Sequence, residues 1–144
     1  MAHVNVSHEI SANQEDTWKV FSDLTTFEKW LTIHDKWYGE PPTELAVGTT
    51  FTQQATIMGM SNKIDWVVEE YNAPSNLKIS GKGLAGAQIT FDLSVTPGGD
   101  NTSTASIEAD FTGQMVVGAI GAAIERASDK ECKASLEKLA GLVA

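Results

Sequence analysis

The stretch from Met115 to Val143 is the longest helical pattern in this sequence. Its apolar residues recur at the spacing of one helix face, and charged residues fill the positions between them. The apolar positions are Val116, Ile120, Ile124, Ala127, Cys132, Leu136, Leu139 and Val143. The pattern predicts one long amphipathic helix, against which the preceding segments must fold.

The first half of this predicted helix carries no charge. From residue 113 to 123 there is no ionisable side chain. Gly118 and Gly121 lie in the same stretch, where a missing side chain lets another backbone or a ligand approach closely. We therefore expect this half to face protein interior or a bound apolar molecule, with Ile120 and Ile124 packed against the inward side chains of a sheet.

Length and charge narrow the classes of function. A chain of 144 residues has the size of one domain, 1–144, with a core that needs neither disulfides nor a metal. The formal net charge is −9 and Arg126 is the sole arginine, which argues against a nucleic-acid partner. Cys132 is the single cysteine, and no apolar run approaches the ~20 residues of a membrane span. We expect a reduced, cytoplasmic protein without a membrane span.

The segments before the long helix show strand and helix patterns in turn. A first strand from His3 to Ile10 is followed by two short helices, capped by Asn13 and by Thr25 or Thr26. A loop over 32–47 then precedes strands that continue as far as residue 113. These are 50–58, a turn at 59–62, 63–71, a strand from 77, 88–96 and 105–111, with glycines at 81, 83 and 86 marking a bulge or a strongly bent hairpin. The order predicts an α+β fold, an antiparallel sheet with its helices segregated.

Several motifs resemble one protein superfamily. They are Gln14 to Trp30 with its Ser22-Asp23-Leu24 triplet, Val47-Gly48 before a strand, Trp66 to Leu77, and Thr96-Pro97 before the final strand. They resemble the SRPBCC or START-like superfamily, which includes polyketide cyclase/dehydrase-like proteins. The resemblance implies a helix-grip fold, in which a curved antiparallel sheet of about six or seven strands wraps around a long C-terminal helix. It also implies two short helices after the first strand, and a hydrophobic cavity between sheet and helix.

A shorter segment resembles a narrower group. Trp30-Leu31-Thr32-Ile33-His34, followed by Trp37, resembles an actinobacterial subgroup described as toxins of type II toxin–antitoxin pairs. This resemblance implies a toxin that acts through a cellular partner and an antitoxin that neutralises it.

The predicted ligand site consists of side chains that face inward from the strands and the long helix. The same faces form either plain core or the lining of a cavity. The predicted ligand-binding residues are Trp30, Trp37, Phe51, Gln53, Ile57, Trp66, Ile79, Phe91, Phe111, Met115, Ile120 and Ile124. We expect an apolar ligand to enter between the loop over 30–38 and the uncharged half of the helix, with Trp30 and Trp37 as a lid. Gln53 is either a hydrogen-bonding anchor for the ligand or a satisfied core amide.

Two residues are candidates for proton transfer. His34, beside Asp35, is either a general base at the mouth of a pocket or part of an exposed pair that caps a turn. Glu70 shares a strand face with Trp66, but we expect the strand to end there and Glu70 to be solvated. We expect neither candidate to be deeply buried, and His8 to be a packed histidine. The sequence has no spacing typical of metal ligands and no phosphate-binding loop, so we expect neither a metal nor a cofactor.

Three functions remain open at this point. The first is binding of a small apolar ligand, such as a lipid, a polyketide or an isoprenoid, which needs an apolar lining and one or two polar anchors. The second, implied by the resemblance alone, is a toxin that acts through a protein partner. The third is a cyclase- or dehydratase-like enzyme, which would require His34, Glu70 or Gln53 to meet in one pocket. We favour binding without catalysis.

Overall fold

The computed structural model describes residues 2–83, 86–114 and 116–143. Within these ranges the elements are β1 (Ala2–Ile10), α1 (Gln14–Phe21), α2 (Phe27–Trp30), β2 (His34–Trp37), β3 (Thr50–Ile57), β4 (Met60–Asn72), β5 (Asn76–Lys82), β6 (Gln88–Pro97), β7 (Ser103–Thr112) and α3 (Gly118–Val143). A 3₁₀ turn at Leu24–Thr26 precedes α2. The strands form one antiparallel sheet in the order β1-β7-β6-β5-β4-β3-β2, which holds α3. The predicted α+β helix-grip class is confirmed.

The predicted first helix is confirmed together with its cap. The side-chain oxygen of Asn13 accepts a hydrogen bond from the backbone N–H of Asp16 at 2.8 Å. Glu15 and Asp16 place negative charge in the first turn, where the helix dipole favours it. Trp18 and Phe21 are buried, so the helix is attached to the core by its apolar edge.

The second short helix begins at one of its two predicted caps, but the capping hydrogen bond comes from another residue. Thr26 occupies the N-cap position of α2, and its side chain makes no capping hydrogen bond. Its hydroxyl instead donates to the carbonyl of Val20. Asp23 accepts a hydrogen bond from the backbone N–H of Thr25 at 3.0 Å and begins the 3₁₀ turn that leads into α2. A carboxylate is a strong acceptor for an N–H at a helix start.

One row of inward positions crosses five strands of the sheet. Phe51, Trp66, Gly81, Ile89 and Phe111 are paired in register along it, and all are buried. The alternation predicted for these strands is therefore confirmed. Gly81 was expected to interrupt that alternation as a bulge or bend, but it continues β5 in register.

The hairpin between β3 and β4 is tighter than predicted. Met58 and Gly59 form a two-residue turn, with φ angles of 57° and 76°. Positive φ at both positions is the geometry of the turn that matches the twist of antiparallel strands. The predicted turn at residues 59–62 is wrong, and Met58 and Met60 stand half-exposed at the tip of the hairpin.

A short strand lies inside the segment predicted as a loop. β2 pairs with β3, with His34 opposite Ala55 and Trp37 opposite Gln53. The segment has no run of alternating apolar residues, so its sequence resembles a polar loop. Backbone pairing at the sheet edge, next to β3, determines its structure instead.

The buried face of α3 agrees with the predicted one at Cys132, Leu136 and Leu139 and is rotated from it in the first half of the helix. The buried residues are Gly121, Ser128, Cys132, Ser135, Leu136 and Leu139. Ile120 is 54% exposed, so the prediction that it packs against the sheet is wrong, whereas Ile124 packs partly buried against the core. Two of the buried positions are serines, which an apolar pattern does not identify.

The edge strand β1 contradicts one further prediction. Val4, Val6 and Ile10 are buried on its inner face, but His8 on that face is exposed. The prediction that His8 is packed in the core is therefore wrong.

Candidate functional site

A cavity of about 110 Å³ opens between the sheet and the beginning of α3. We call it the mouth cavity. Its walls are the β3–β4 hairpin, the start of β6 and the start of α3. The lining residues are Ala55, Ile57, Met58, Met60, Asn62, Ile64, Ala87, Ile89, Phe111, Val116 and Ile124. None of these side chains is titratable, so the mouth cavity offers an uncharged and almost wholly apolar surface.

A smaller space of about 10 Å³, the inner pocket, lies against the middle of α3. It adjoins the mouth cavity, because Ile57 and Phe111 line both. The other lining residues are Leu31, Ile33, Phe91, Ser128, Glu131, Cys132 and Ser135. Ser128 is 2% exposed, and its Oγ has no hydrogen-bond partner among the described residues. Buried hydroxyls are rarely unpartnered, so the inner pocket differs in chemistry from the mouth.

Hydrogen bonds fasten the segment after α2 to α3 beside the inner pocket. The backbone N–H of Thr32 donates to Ser135 Oγ at 3.0 Å, and the hydroxyl of Thr32 donates to Glu131 Oε2 at 2.5 Å. Ser135 Oγ lies 2.8 Å from the carbonyl of Glu131. The polar residues of α3 therefore have a structural role on one side, and Ser128 stands apart from this network.

The cysteine of α3 is unsuited to nucleophilic chemistry. Burial, reinforced by the negative charges of Asp129 and Glu131, raises the pKa of the Cys132 thiol to about 12. The reactive form of cysteine is the thiolate, which is therefore strongly disfavoured here.

A chain of three side chains connects the sheet interior to β2. The indole Nε1–H of Trp66 donates to Gln53 Oε1 at 2.9 Å, and Gln53 Nε2 lies 2.7 Å from His34 Nδ1. Indole nitrogen is only a donor, so it fixes the amide with its oxygen toward Trp66 and its NH₂ toward His34. His34 Nδ1 must then accept, which makes the imidazole neutral with its proton on Nε2.

The surroundings of His34 favour the same neutral form. Its ring packs against Trp37, with 4.7 Å between centroids, and against the edge of Phe27. Burial lowers the pKa of His34 below its ordinary value of 6.5, although Asp35 and Glu28 act in the opposite direction. A neutral, hydrogen-bonded histidine in this position acts as a structural link between β2 and β3.

We expect this link to make stability depend on pH. Because the folded-state pKa is depressed, the unfolded chain takes up the His34 proton first, and stability falls as pH drops from about 6.5 through the folded-state pKa. Urea unfolding at a series of pH values measures this loss of stability.

The control variant is His34→Asn, which keeps an acceptor but does not titrate. It should remove the part of the pH dependence that comes from His34. The difference between the two proteins also cancels His3, whose pKa is raised by its hydrogen bond to Asp110. Identical pH profiles would contradict the assignment.

A larger cleft, about 710 Å³, lies on the outer face of the sheet. Its floor is formed mainly by outward and polar side chains of β3 to β6, and the segment with Tyr38 and Glu40 forms one wall. The amino groups of Lys36 and Lys63 lie about 5 Å from the Tyr38 ring centroid. Trp37, Phe51 and Trp66, predicted to line the inner site, border this cleft and line neither the mouth cavity nor the inner pocket, although the side chains of Phe51 and Trp66 are buried on the inner face.

The structure gathers only part of the predicted ligand-binding set at one place. The members that line the mouth cavity or the inner pocket are Ile57, Phe91, Phe111 and Ile124. Ile79 is buried core, Ile120 is exposed, and Met115 lies outside the described residues. Gln53 bonds to His34 and Trp66, which matches the satisfied core amide that was one of its two predicted roles.

The predicted tryptophan lid is not present. Trp30 is 1% exposed and its Nε1–H donates to Thr26 Oγ1 at 3.1 Å. Trp37 Nε1–H donates to the carbonyl of Leu24, also at 3.1 Å. Both rings are held as core between the short helices and the sheet, so the opening lies at the β3–β4 hairpin and not at the loop over 30–38.

Glu70, the second candidate for proton transfer, is solvated as expected, but not because the strand ends there. β4 continues to Asn72, and a register shift between Val68 and Glu70 interrupts its alternation at the acidic pair. Glu70 has 51% of its side chain exposed and lies 3.8 Å from the amino group of Lys78. It is therefore far from forming a pocket with His34 and Gln53.

The residues that sequence reasoning missed are the small and flexible ones. Met58, Met60 and Ala55 line the mouth cavity, and Ser128 lines the inner pocket. The helical spacing from Ser128 to Cys132 and Ser135 was a usable signal, since these residues recur on one face. Among the described residues, no group of three His, Cys, Asp or Glu side chains is arranged to hold a metal, and no helix has the length and apolar character required to cross a membrane.

Comparison with known proteins agrees with this geometry. The model of the family described as polyketide cyclase / dehydrase and lipid transport matches residues 1–144. A START superfamily protein from Mycobacterium smegmatis has the same fold, with a TM-score of 0.80 at 15% identity, covering 99% of this chain and 97% of that one.

Two relatives from Mycobacterium tuberculosis are similar over nearly their whole length. One, an uncharacterized protein, is 31% identical over 144 residues, 99% of each chain. The other, whose name is Toxin, is 29% identical over 137 residues, which cover 95% of this chain and 94% of that protein. The resemblances stated from the sequence are thus confirmed at the level of the superfamily and of its toxin-named members.

Proposed function

We propose that this chain, which belongs to the polyketide cyclase / dehydrase and lipid transport family, binds a small apolar ligand between its sheet and α3. The observation that carries the proposal is the mouth cavity, an uncharged opening in the position where sheet and helix separate. Met58 and Met60 at its rim are flexible and polarizable, a property that suits a surface which adapts to ligands.

The size of the cavity restricts the ligand. Pockets for drug-sized molecules span roughly 300 to 1,000 Å³, whereas the mouth cavity has about 110 Å³. An apolar cavity of about 150 Å³ can hold a benzene ring. We therefore infer that one ring or a short alkyl segment is enclosed, and that any larger part of the ligand extends past Met58 and Met60.

Binding without catalysis is the form of the proposal that the side chains favour. A general acid or base has to reach the reacting atom with a proton to exchange. The lining of the mouth cavity offers no titratable group, His34 has its Nδ1 occupied by Gln53, and Glu70 points to solvent on β4.

The proposal predicts that filling the cavity abolishes binding. Ala55 is 2% exposed and lines the mouth cavity, so Ala55→Leu places three additional carbons in the space. We expect toluene binding, measured by shifts of backbone amide NMR signals, to weaken by at least about tenfold. The free energy of unfolding should change by less than about 1.5 kcal/mol, because the added volume enters existing space.

The matched control is Ala122→Leu, the same change at an exposed position of α3. It should leave toluene binding unchanged. Unaltered binding in Ala55→Leu would place the ligand elsewhere and defeat the proposal.

A second candidate function is a toxin that acts through a protein partner. The relative named Toxin supports it, as do apolar side chains exposed beside the mouth cavity, since exposed apolar groups in a patch are typical of interaction sites. Met58, Met60, Val117 and Ile120 are each more than half exposed. If this function holds, expression in a bacterial host should slow growth, Ile120→Asp should relieve the effect, and Ala55→Leu should not.

A further inference from the structure

We propose that the inner pocket is a binding site for a neutral hydroxyl group, so that the protein takes small apolar alcohols with the hydroxyl innermost and the apolar body in the mouth cavity. This inference rests on the proposed function, since it assumes a ligand between sheet and helix. It adds the chemical class of the ligand and the direction in which it enters.

The unpartnered hydroxyl of Ser128 is the first support. Its Oγ is buried and has no hydrogen-bond partner among the described residues, while Ser135, on the same helix face, is fully bonded. A hydroxyl in this state can donate one hydrogen bond and accept others. Ser128 therefore provides an unused polar anchor in the inner pocket.

The dimensions of the inner pocket are the second support. Its volume of about 10 Å³ is close to that of one water-sized group. A hydroxyl fits such a space, whereas a carboxylate or a phosphate does not. Ile57 and Phe111 border both spaces, so the two are neighbours, and movement of these two side chains would let a group in the inner pocket join a ring or chain in the mouth cavity.

The charge around the inner pocket is the third support. Glu131 lines the pocket, and its Oε2 accepts from Thr32 while retaining capacity for a further donor. Both residues line the pocket, so a ligand hydroxyl there has a donor in Ser128 and an acceptor in Glu131. An anion would meet the carboxylate of Glu131, whose negative charge also contributes to the raised pKa of Cys132. The pocket therefore selects alcohols over carboxylates.

Three probes of one shape test the inference: toluene, benzyl alcohol and benzoate, each titrated into the full chain and followed by amide NMR shifts. For the unaltered protein we expect benzyl alcohol to bind at least about tenfold more tightly than benzoate, because the anion would be desolvated beside like charge. Ser128→Ala should weaken the binding of benzyl alcohol by about tenfold and leave the affinity for toluene unchanged, since only the ligand hydroxyl loses its partner.

The variant should remain folded, because it removes a buried hydroxyl that has no partner. Its midpoint of thermal unfolding should equal or exceed that of the unaltered protein. Ser7→Ala, at an exposed position of β1, is the control for serine removal. It should change neither the affinity for benzyl alcohol nor that for toluene.

Two results would overturn the inference while leaving the proposed function intact. The first is that Ser128→Ala binds benzyl alcohol with unchanged affinity, as expected if the hydroxyl serves only a buried water. The second is that the unaltered protein binds benzoate as tightly as benzyl alcohol. Failure of all three probes to bind the unaltered protein would instead defeat the proposed function itself.

Discussion

Replacing Leu139 by alanine is expected to lower the free energy of unfolding by about 2 to 5 kcal/mol. Leu139 is fully buried on the face of α3 that packs into the sheet. Truncation removes apolar surface from the core and leaves a cavity that the surrounding strands cannot close. Urea unfolding followed by tryptophan fluorescence measures the loss.

The control is an apolar residue of the same helix that the structure leaves exposed. Ile120 is 54% exposed, and Ile120→Ala should change the unfolding free energy by no more than about 0.5 kcal/mol. The pair tests whether Ile120 is packed or exposed. A loss for Ile120→Ala as large as that for Leu139→Ala would mean that Ile120 packs against the sheet, as the apolar pattern predicted, and would contradict the structure.

Replacing Gly81 by alanine is expected to cost about 1 to 3 kcal/mol, even though it adds a single carbon. A Cβ at this position would lie 2.6 Å from Ile64 Cγ2 and 2.7 Å from Trp66 Cε3. The indole cannot move aside freely, because its Nε1–H is bonded to Gln53 and its ring packs on Phe91 with 5.5 Å between centroids. The clash must therefore be absorbed by the sheet, and thermal unfolding should show a clearly lowered midpoint.

Gly99→Ala is the matched control, since a Cβ there meets no atom within 4 Å. We expect its effect to stay within about 0.5 kcal/mol. Equal effects for the two glycine variants would mean that Trp66 repacks at little cost, and that the row of inward side chains is looser than the distances indicate.

The candidate site was predictable in its general location but not in its composition. The inward faces of the strands were read correctly, which placed Ile57, Phe91 and Phe111 beside the helix. The tryptophans misled the prediction, because aromatic residues on an inward face have the same pattern whether they fill a core or line a cavity. Only the hydrogen bonds of Trp30 and Trp37 to the short helices distinguish the two.

Ser128 illustrates the opposite error. A serine within a helix is usually solvated, so the helical spacing of Ser128 with Cys132 and Ser135 was not enough to predict that it is buried. Its burial follows from the packing of α3 against the rest of the chain, in which the small residues Gly121, Ser128 and Ser135 are all buried. Such packing is a property of two surfaces and not of either one.

The sequence by itself determined the kinds of elements, their order and the inward faces of the strands, because these follow from periods of 2 and 3.6 residues within short segments. The tertiary structure alone decided the pairing of β2, the rotation of α3, the neutral state of His34 and the position of the opening. Each of these depends on partners distant in the chain, as with Gln53, which joins Trp66 to His34 across three strands. Local patterns do not record which distant surfaces meet, and the free energy of their packing selects the one arrangement that buries them together.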